Sequence, residues 1–146
     1  HNCLVGSEMC IRDRNNIIFY GYVSRGSLES KLENIDCFIA PFSSRVSASG
    51  GNNLVNWMSP LKIFEYMSFR RPIICTKIKG LSDVLRHEDN ALLCESNDTS
   101  QWIKAIERIK MDKILAERLV ETAYSDFLLK YNWNTRAKEV IKQIKQ

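Results

Sequence analysis

The sequence predicts an α/β fold in which helices cover both faces of a parallel β-sheet. Short apolar runs without alternating polar residues occur between segments of helical pattern, and such runs are typical of strands buried on both faces. After the last of these runs, apolar residues recur at helical spacing. Strands that alternate with helices and are followed by terminal helices indicate the α/β class.

The composition is that of an ordinary globular domain. The 146 residues are 45% hydrophobic and 26% charged, and the net charge is +4. This charge is too small and too scattered to indicate a nucleic-acid-binding surface. No apolar run approaches the roughly 20 residues that a membrane-spanning helix needs. We therefore expect neither a nucleic-acid partner nor a membrane span.

The first half of the chain contains two predicted strands. Residues 16–23 ("NIIFYGYV") and 35–42 ("IDCFIAPF") are runs of β-branched and aromatic residues, and Gly, Ser or Pro ends each run. Residues 27–34 between them fit a helix of two turns. Residues 44–53 are rich in Ser, Gly and Asn, which predicts a loop.

A helix is clearly marked at residues 59–69 ("SPLKIFEYMSF"). Ser59 suits the N-cap, and Pro60 suits the first helical position because its missing N–H has no partner there in any case. A strand at 72–78, a short helix and turn at 80–90 and a strand at 91–94 follow. The terminal helices at 99–111 and 113–133 have apolar residues at helical spacing, among them Trp102, Ile106, Ile109, Leu115, Leu119, Ala123 and Phe127.

The first turn of the predicted helix at 59–69 carries an unexpected charge. Lys62 lies where the helix dipole already presents about half a positive charge, so a cation is disfavoured there. A capping box would place Glu or Gln at this position. A lysine beside free backbone N–H groups is explained if an anion, such as a ligand phosphate, binds at this end of the helix.

Glu65 lies one turn further along the same face as Lys62. A carboxylate one turn from a phosphate site is placed to accept hydrogen bonds from sugar hydroxyls. The alternative is a solvent-exposed pair of Lys62 and Glu65 that contributes about 0.2–0.5 kcal/mol. The spacing alone does not decide between these alternatives.

Six segments, in order along the chain, resemble one enzyme family. They are "IIFYGYV", "LENIDCFIAPF", "SPLKIFEYM", "RPIICT", "GLSDVLRHEDNALLC" and "YNWNTRAKEV". Together they resemble the C-terminal, nucleotide-sugar-binding domain of the retaining glycosyltransferases with the GT-B fold, the group 1 or family 4 type. The resemblance implies a Rossmann-like sheet in the donor-binding half of an enzyme that transfers a sugar from a nucleoside diphosphate sugar to a glycan or another acceptor.

The resemblance also implies roles for individual residues. In the family, a helix N-terminus binds the donor diphosphate and a glutamate in that helix binds the ribose. The implied assignments are diphosphate binding by Ser59, Pro60, Leu61 and Lys62, ribose binding by Glu65 and base binding by Val23. No catalytic residue is assigned, and no metal or other cofactor is expected because the enzymes act mainly by stabilising charge on the leaving diphosphate.

Two positions depart from the family pattern. Trp57 replaces the first glutamate of the E-x7-E motif, which contacts the donor sugar, so the identity of the sugar stays open. Arg70 lies where the family helix usually ends at a glycine. A side chain in the left-handed conformation of such a C′ position costs about 1–2 kcal/mol.

The N-terminal segment differs from the rest. Residues 4–14 ("LVGSEMCIRDR") resemble a translated sequencing-library adapter. We therefore expect residues 1–14 to be non-native and 15–146 to be a partial donor-binding domain, with an acceptor-binding domain and further strands missing upstream. Such a fragment is expected to expose a sheet edge and to lack transferase activity. The remaining Cys37, Cys75 and Cys94 have no C-x-x-C spacing, and we expect buried, reduced thiols in a cytoplasmic protein.

Several other residues have two explanations. Ser43 and Ser44 follow a predicted strand at its carboxyl end, where they line a ligand pocket or simply make the loop polar. We expect His87, in a polar turn, to be solvated rather than a general base, and Trp133, at a helix junction, to pack. Lys138, Lys142 and Lys145 form a basic edge of the last helix, for which a solvated face and peripheral contact with the inner membrane surface are the alternatives.

Two alternative functions stay open at this point. A nucleotide-sugar epimerase of GT-B architecture would bind the same donor without an acceptor. A Rossmann-like binding module would have the fold without catalysis.

Overall fold

The computed structural model describes residues 16–43 and 61–144. The chain divides after Asn34 into two compact units. The described part of the first unit contains helix α1, Arg25–Leu32, which confirms the short helix predicted there. Within this unit the Lys31 ammonium lies 4.0 Å from the centroid of the Tyr20 ring. The prediction for residues 1–14 lies outside the described residues.

The strand predicted at residues 16–23 is wrong. Residues 17–24 belong to no strand or helix, and Ile18 and Tyr22 are 72% and 94% exposed. High β-propensity does not by itself make a strand, because the backbone N–H and C=O groups need a neighbouring strand as partner. The described part of the chain provides no such partner for this segment.

The second unit contains a parallel sheet of three strands in the order β1-β2-β3. The strands are β1 Phe38–Ala40, β2 Ile73–Thr76 and β3 Leu92–Cys94. The helices are α2 Leu61–Ser68, a 3-10 turn at Lys79–Leu81, α3 Thr99–Met111, α4 Lys113–Lys130 and α5 Trp133–Ile144. The predicted α/β class with a parallel sheet and flanking helices is confirmed.

The sheet is buried on both faces at β2. Side chains alternate between the two faces of a strand, and both Ile73 and Ile74 are fully buried. On one face Tyr66 of α2 stacks on Phe38, with ring centroids 4.2 Å apart. On the other face α3 and α4 complete the main apolar cluster, whose members are Ile74, Leu92, Cys94, Ala105, Leu115 and Leu119. Helix α4 also contacts α2.

A buried carboxylate anchors the loop between β2 and β3 to α4. Asp126 accepts hydrogen bonds from Arg86 Nη2 at 2.7 Å and from Asn90 Nδ2 at 3.1 Å. Its other carboxylate oxygen lies 2.6 Å from Lys130 Nζ. Asn90 is 1% exposed and also donates to the Val84 carbonyl at 2.9 Å. The polar groups buried in this loop therefore have partners.

The chain turns through a left-handed residue at the end of α2. Arg70 has a φ of 52°, although the residue is not glycine. Its Nη2 atom lies 2.5 Å from Glu121 Oε1, and its guanidinium lies 4.6 Å from the centroid of the Tyr124 ring. Contacts to α4 thus accompany the strained backbone.

The junction of α4 and α5 packs only in part. Tyr131 stacks on Phe64 of α2 with ring centroids 4.7 Å apart, and its hydroxyl donates to the Asp83 carbonyl at 3.1 Å. Trp133 is 88% exposed, so the prediction that it packs is wrong within the described residues. The indole lies at the start of the apolar face of α5, and within the described residues most of this face is exposed to solvent.

Candidate functional site

The first turn of α2 lies at the carboxyl edge of the sheet. Because β1 and β2 are parallel and α2 connects them, α2 runs antiparallel to both strands. Its N-terminus therefore lies at the edge where the strands end, which is where α/β proteins bind ligands. Leu61 is 64% exposed and Lys62 is also exposed. The assignment of these residues to a diphosphate stays a prediction.

Packing determines which face of α2 points outward. Ile63 and Met67 are 0% and 1% exposed, and they pack α2 into the core. Lys62 and Glu65 lie on the exposed side of the helix. Among the described ion pairs none joins Lys62 to Glu65, so the two charges are directed to solvent at the end of the sheet.

The other predicted binding residues are only partly within the described chain. The described residues do not include Ser44, Ser59 or Pro60. They also do not include Trp57, which departs from the family motif. Val23 is half-buried in the first unit. Ser43 is exposed and follows β1 at its carboxyl end. Its role at a pocket edge stays a prediction.

Two further lysines lie at the same edge of the sheet and were missed by the sequence reasoning. Lys77 directly follows β2, and its Nζ atom lies 3.4 Å from Glu95 Oε1 after β3. Lys79 begins the 3-10 turn that follows and is exposed. The positions of these lysines could have indicated them as candidates, because residues that follow a parallel strand lie at the ligand-binding edge of the sheet. With Lys62 these residues place three lysines at this edge, of which Lys77 is paired with Glu95.

The three cysteines of the second unit are not candidates for nucleophiles. They are reduced, and Cys75 and Cys94 are buried while Cys37 is half-buried. Burial raises the pKa of Cys37 to about 11, with a contribution from Asp36, and raises the pKa of Cys75 to about 12. Burial also raises the pKa of Cys94. These thiols therefore stay protonated at neutral pH, and protonated thiols are poor nucleophiles and poor metal ligands.

His87 is exposed, as expected of a solvated residue, and it also has a structural partner. Its Nδ1 atom accepts a hydrogen bond from the Leu93 N–H at 2.9 Å. In the described ranges no group of three or more His, Cys, Asp or Glu side chains is placed to hold a metal ion. Within those ranges no helix is both long and apolar enough to cross a membrane.

Comparison with known proteins identifies the family. The model of the family described as Glycosyl transferases group 1 matches residues 3–112. An uncharacterized glycosyltransferase of Methanocaldococcus jannaschii is 22% identical over 130 residues, which cover 88% of this chain and 30% of that protein.

Two solved structures are similar in fold. Sucrose-phosphate synthase from Thermosynechococcus elongatus has a TM-score of 0.70 at 21% identity, and the match covers 97% of this chain and 32% of the synthase. The C-terminal domain of the glycosyl transferase group 1 protein LpcC from Francisella tularensis has a TM-score of 0.66 at 18% identity, covering 86% of this chain and 60% of that domain's chain.

The chain spans about a third of the length of the glycosyltransferase and the synthase that it matches. The second structural match is itself a C-terminal domain, which agrees with the resemblance to the C-terminal half of a GT-B protein. The family match covers most of the chain, including the whole sheet and the cationic first turn of α2. The chain therefore belongs to the glycosyl transferases group 1 family.

Proposed function

We propose that this chain is the donor-binding part of a glycosyltransferase that uses a nucleoside diphosphate sugar. The observation that carries the proposal is the first turn of α2, where exposed Lys62 lies beside helix N–H groups at the carboxyl edge of the sheet. Both features favour a bound anion. Family membership supplies the reaction class, the transfer of a sugar.

The chemistry explains why a cation is useful at this position. When the bond between the anomeric carbon and the diphosphate oxygen breaks, negative charge grows on the leaving diphosphate. A fixed ammonium group and backbone N–H groups stabilise that charge more in the transition state than in the ground state, which accelerates the reaction. We assign this role to Lys62 together with the Ser59, Pro60 and Leu61 turn, with donors from Leu61 onward because proline has no N–H.

Glu65 is assigned to the ribose. It lies on the exposed side of α2, one turn from Lys62, and a carboxylate can accept hydrogen bonds from two adjacent hydroxyls. Val23 is assigned to the base, and Ser43 and Ser44 to the pocket edge, as the family resemblance implies. Retention of configuration at the sugar is likewise part of the proposal.

Nucleotide titration by calorimetry tests the proposal. We expect UDP or GDP to bind the chain saturably, and UDP to bind more tightly than UMP because UDP carries the second phosphate. The Lys62→Ala variant should show a smaller preference for UDP over UMP. The control is Lys110, an exposed lysine in the last turn of α3. The Lys110→Ala variant should keep the wild-type preference. Saturable binding that is identical in the Lys62→Ala variant would refute the assignment of Lys62.

A second comparison isolates the ribose contact. Glu65→Ala should weaken UDP binding by about 1–3 kcal/mol, because the ribose hydroxyls lose their acceptor. In the wild type, 2′,3′-dideoxy-UDP should bind more weakly than UDP, and the Glu65→Ala variant should show no such difference. Equal penalties for the dideoxy nucleotide in both proteins would show that Glu65 does not contact the ribose.

The remaining parts of the proposal concern the whole protein. We expect an acceptor-binding domain elsewhere in the same protein, so that the chain alone binds the donor but transfers no sugar. We also expect the affinity for UDP to be the same in magnesium and in EDTA, because no metal is assigned. Failure of every nucleoside diphosphate to bind the folded chain would instead favour a Rossmann-like module without a ligand.

A further inference from the structure

The connection from β2 to β3 lies on the same face of the sheet as α2. Parallel neighbouring strands are almost always joined by right-handed crossovers. The connection that contains α2 and the one that follows β2 lead in the same direction across the sheet, so both cover one face. Tyr131 contacts each of them, because its ring stacks on Phe64 of α2 and its hydroxyl donates to the Asp83 carbonyl at 3.1 Å.

This second connection begins at the carboxyl edge of the sheet with the 3-10 turn Lys79–Leu81. Ile78 and Leu81 are 8% and 2% exposed, so they anchor the turn to the core. The Lys79 carbonyl accepts hydrogen bonds from the Ser82 N–H at 3.2 Å and from the Ser82 hydroxyl at 2.8 Å. The backbone of Lys79 is therefore fixed by contacts that do not involve its side chain.

The two lysines of this connection differ in their partners. Lys77 Nζ lies 3.4 Å from Glu95 Oε1, so this ammonium group is directed toward the end of β3. Lys79 is exposed, and none of the ion pairs among the described residues includes it. The same is true of Lys62 in the first turn of α2. Two lysines with no carboxylate partner in the described ranges thus belong to neighbouring connections at one edge of the sheet.

The charge of a nucleoside diphosphate sugar explains why one lysine is not enough. Each phosphate carries a negative charge, and the diphosphate gains another as its bond to the sugar breaks. A single lysine and the half positive charge of a helix N-terminus compensate this charge only in part. A second lysine, supplied by a different element, adds the missing positive charge.

We propose that Lys79 is a second cationic contact of the donor diphosphate, in addition to Lys62. The inference rests on the proposed function, because it adds a binding residue to the same site. Lys79 stabilises the leaving diphosphate more strongly than the intact donor, since the negative charge is largest after the bond to the sugar has broken. Lys77 takes no part, because Glu95 already occupies its ammonium group.

Titration of UDP by calorimetry tests the role of Lys79. Lys79→Ala should weaken UDP binding about five- to tenfold, the loss expected for one charge-assisted hydrogen bond at an exposed position. Lys79→Arg keeps the charge and should retain most of the affinity. Far-UV circular dichroism checks that each variant is folded, as expected for replacement of an exposed side chain.

The matched control is Lys77, which lies at the same edge but pairs with Glu95. Lys77→Ala should change the affinity for UDP less than about twofold in roughly 0.15 M salt, where charges more than about 8 Å apart are largely screened. Equal losses in the two alanine variants would indicate a general effect of surface charge and overturn the proposal.

Inorganic pyrophosphate tests the placement of Lys79 without a nucleoside. The Leu61 amide reports on the first turn of α2, and the Gly80 amide reports on the residue after Lys79. In NMR titrations of the wild type, both signals should shift with one saturation curve. In Lys79→Ala the curve at Leu61 should move to about five- to tenfold higher concentrations. Different curves at the two amides, or no shift at Gly80, would overturn the proposal.

The role of Lys79 and the proposed function fail in different ways. If Lys62→Ala lowers the preference for UDP over UMP while Lys79→Ala keeps the wild-type affinity, the donor site stands and the role of Lys79 is refuted. If the folded wild type binds no nucleoside diphosphate, both are refuted.

Discussion

Replacement of Asp126 by asparagine should lower the stability of the second unit by about 2 kcal/mol at pH 7. The Asp126 side chain is 9% exposed, and its partners Arg86 and Lys130 are 38% and 55% exposed. For the charge-assisted bond from Arg86 we take about 1.5 kcal/mol, the low end of the usual range, because the guanidinium is partly solvated. The exposed pair with Lys130, four residues along the helix, adds about 0.3–0.5 kcal/mol. Arg86 and Asn90 both donate to Oδ2, so an asparagine oxygen at that position keeps both partners but loses the negative charge, and the new amide NH₂ group faces the Lys130 ammonium.

The effect of this replacement should depend on pH in one direction. Burial raises the pKa of the Asp126 carboxyl, but hydrogen bonds from Lys130, Arg86 and Asn90 lower it by more, so the pKa lies below its ordinary value. A carboxyl whose pKa is lowered on folding stabilises the fold above its unfolded pKa of about 3.9. This stabilisation is lost as the pH falls toward the folded pKa. The difference between wild type and variant should thus be constant above pH 5 and shrink below about pH 4.

Urea unfolding followed by circular dichroism at several pH values measures the difference. Asp89→Asn is the matched control, because Asp89 contacts Arg86 Nε at 2.5 Å but its side chain is 49% exposed. We expect this control to lose less than about 1 kcal/mol. Equal losses for the two variants at pH 7, or a difference that grows as the pH falls, would refute the argument that the buried acceptor matters most.

Three further predictions concern the end of α2, the thiols and the last helix. Arg70→Gly should be more stable than Arg70→Ala in the same assay, because both lose the contacts to Glu121 and Tyr124 but only glycine relieves the left-handed backbone; an alanine variant of equal or greater stability would contradict this. With Cys3 and Cys10 replaced by serine, maleimide at pH 8 should label the folded chain only slowly. The pKa of Cys37 is about 11, which leaves roughly one Cys37 thiol in 1,000 ionised at that pH. Rapid labelling without denaturant would contradict this expectation. Finally, the exposed Trp133 and Ile144 lie on α5 with the exposed Lys138 and Lys142. If these residues form a peripheral membrane contact, the chain should sediment with anionic but not with neutral vesicles, and the double variant Lys138→Glu, Lys142→Glu should not sediment. Unchanged sedimentation of the double variant would exclude an electrostatic contact through α5.

The elements that sequence reasoning located correctly are those with a strong local signal. Pro60 and the apolar residues behind it predicted α2, and buried Ile73 and Ile74 predicted β2. The observed strands are shorter than the predicted apolar runs, as in Ile73–Thr76 against 72–78. An apolar run marks what is buried, whereas a strand ends where its neighbours stop pairing, and that depends on the fold.

The failures have the same physical origin. Residues 16–23 have strand propensity but no strand partner in the described chain, and Trp133 has no surface to cover it there. Lys62 could be singled out as a candidate from the sequence because a helix start is visible there. Lys77 and the hydrogen bond of His87 to Leu93 depend on which strand ends and edges come together, so they required the structure.

The closed edge of β3 limits how copies of this sheet can associate. Head-to-tail growth of a fibre by strand addition requires two receptive edges on every molecule. Within the described residues the β3 side is occupied by its own loop and by α3, through hydrogen bonds such as those from the Leu93 N–H to His87 and from the Glu95 N–H to Gln101. A strand from another copy would have to displace these hydrogen bonds, so this side opposes the growth of a fibre by strand addition.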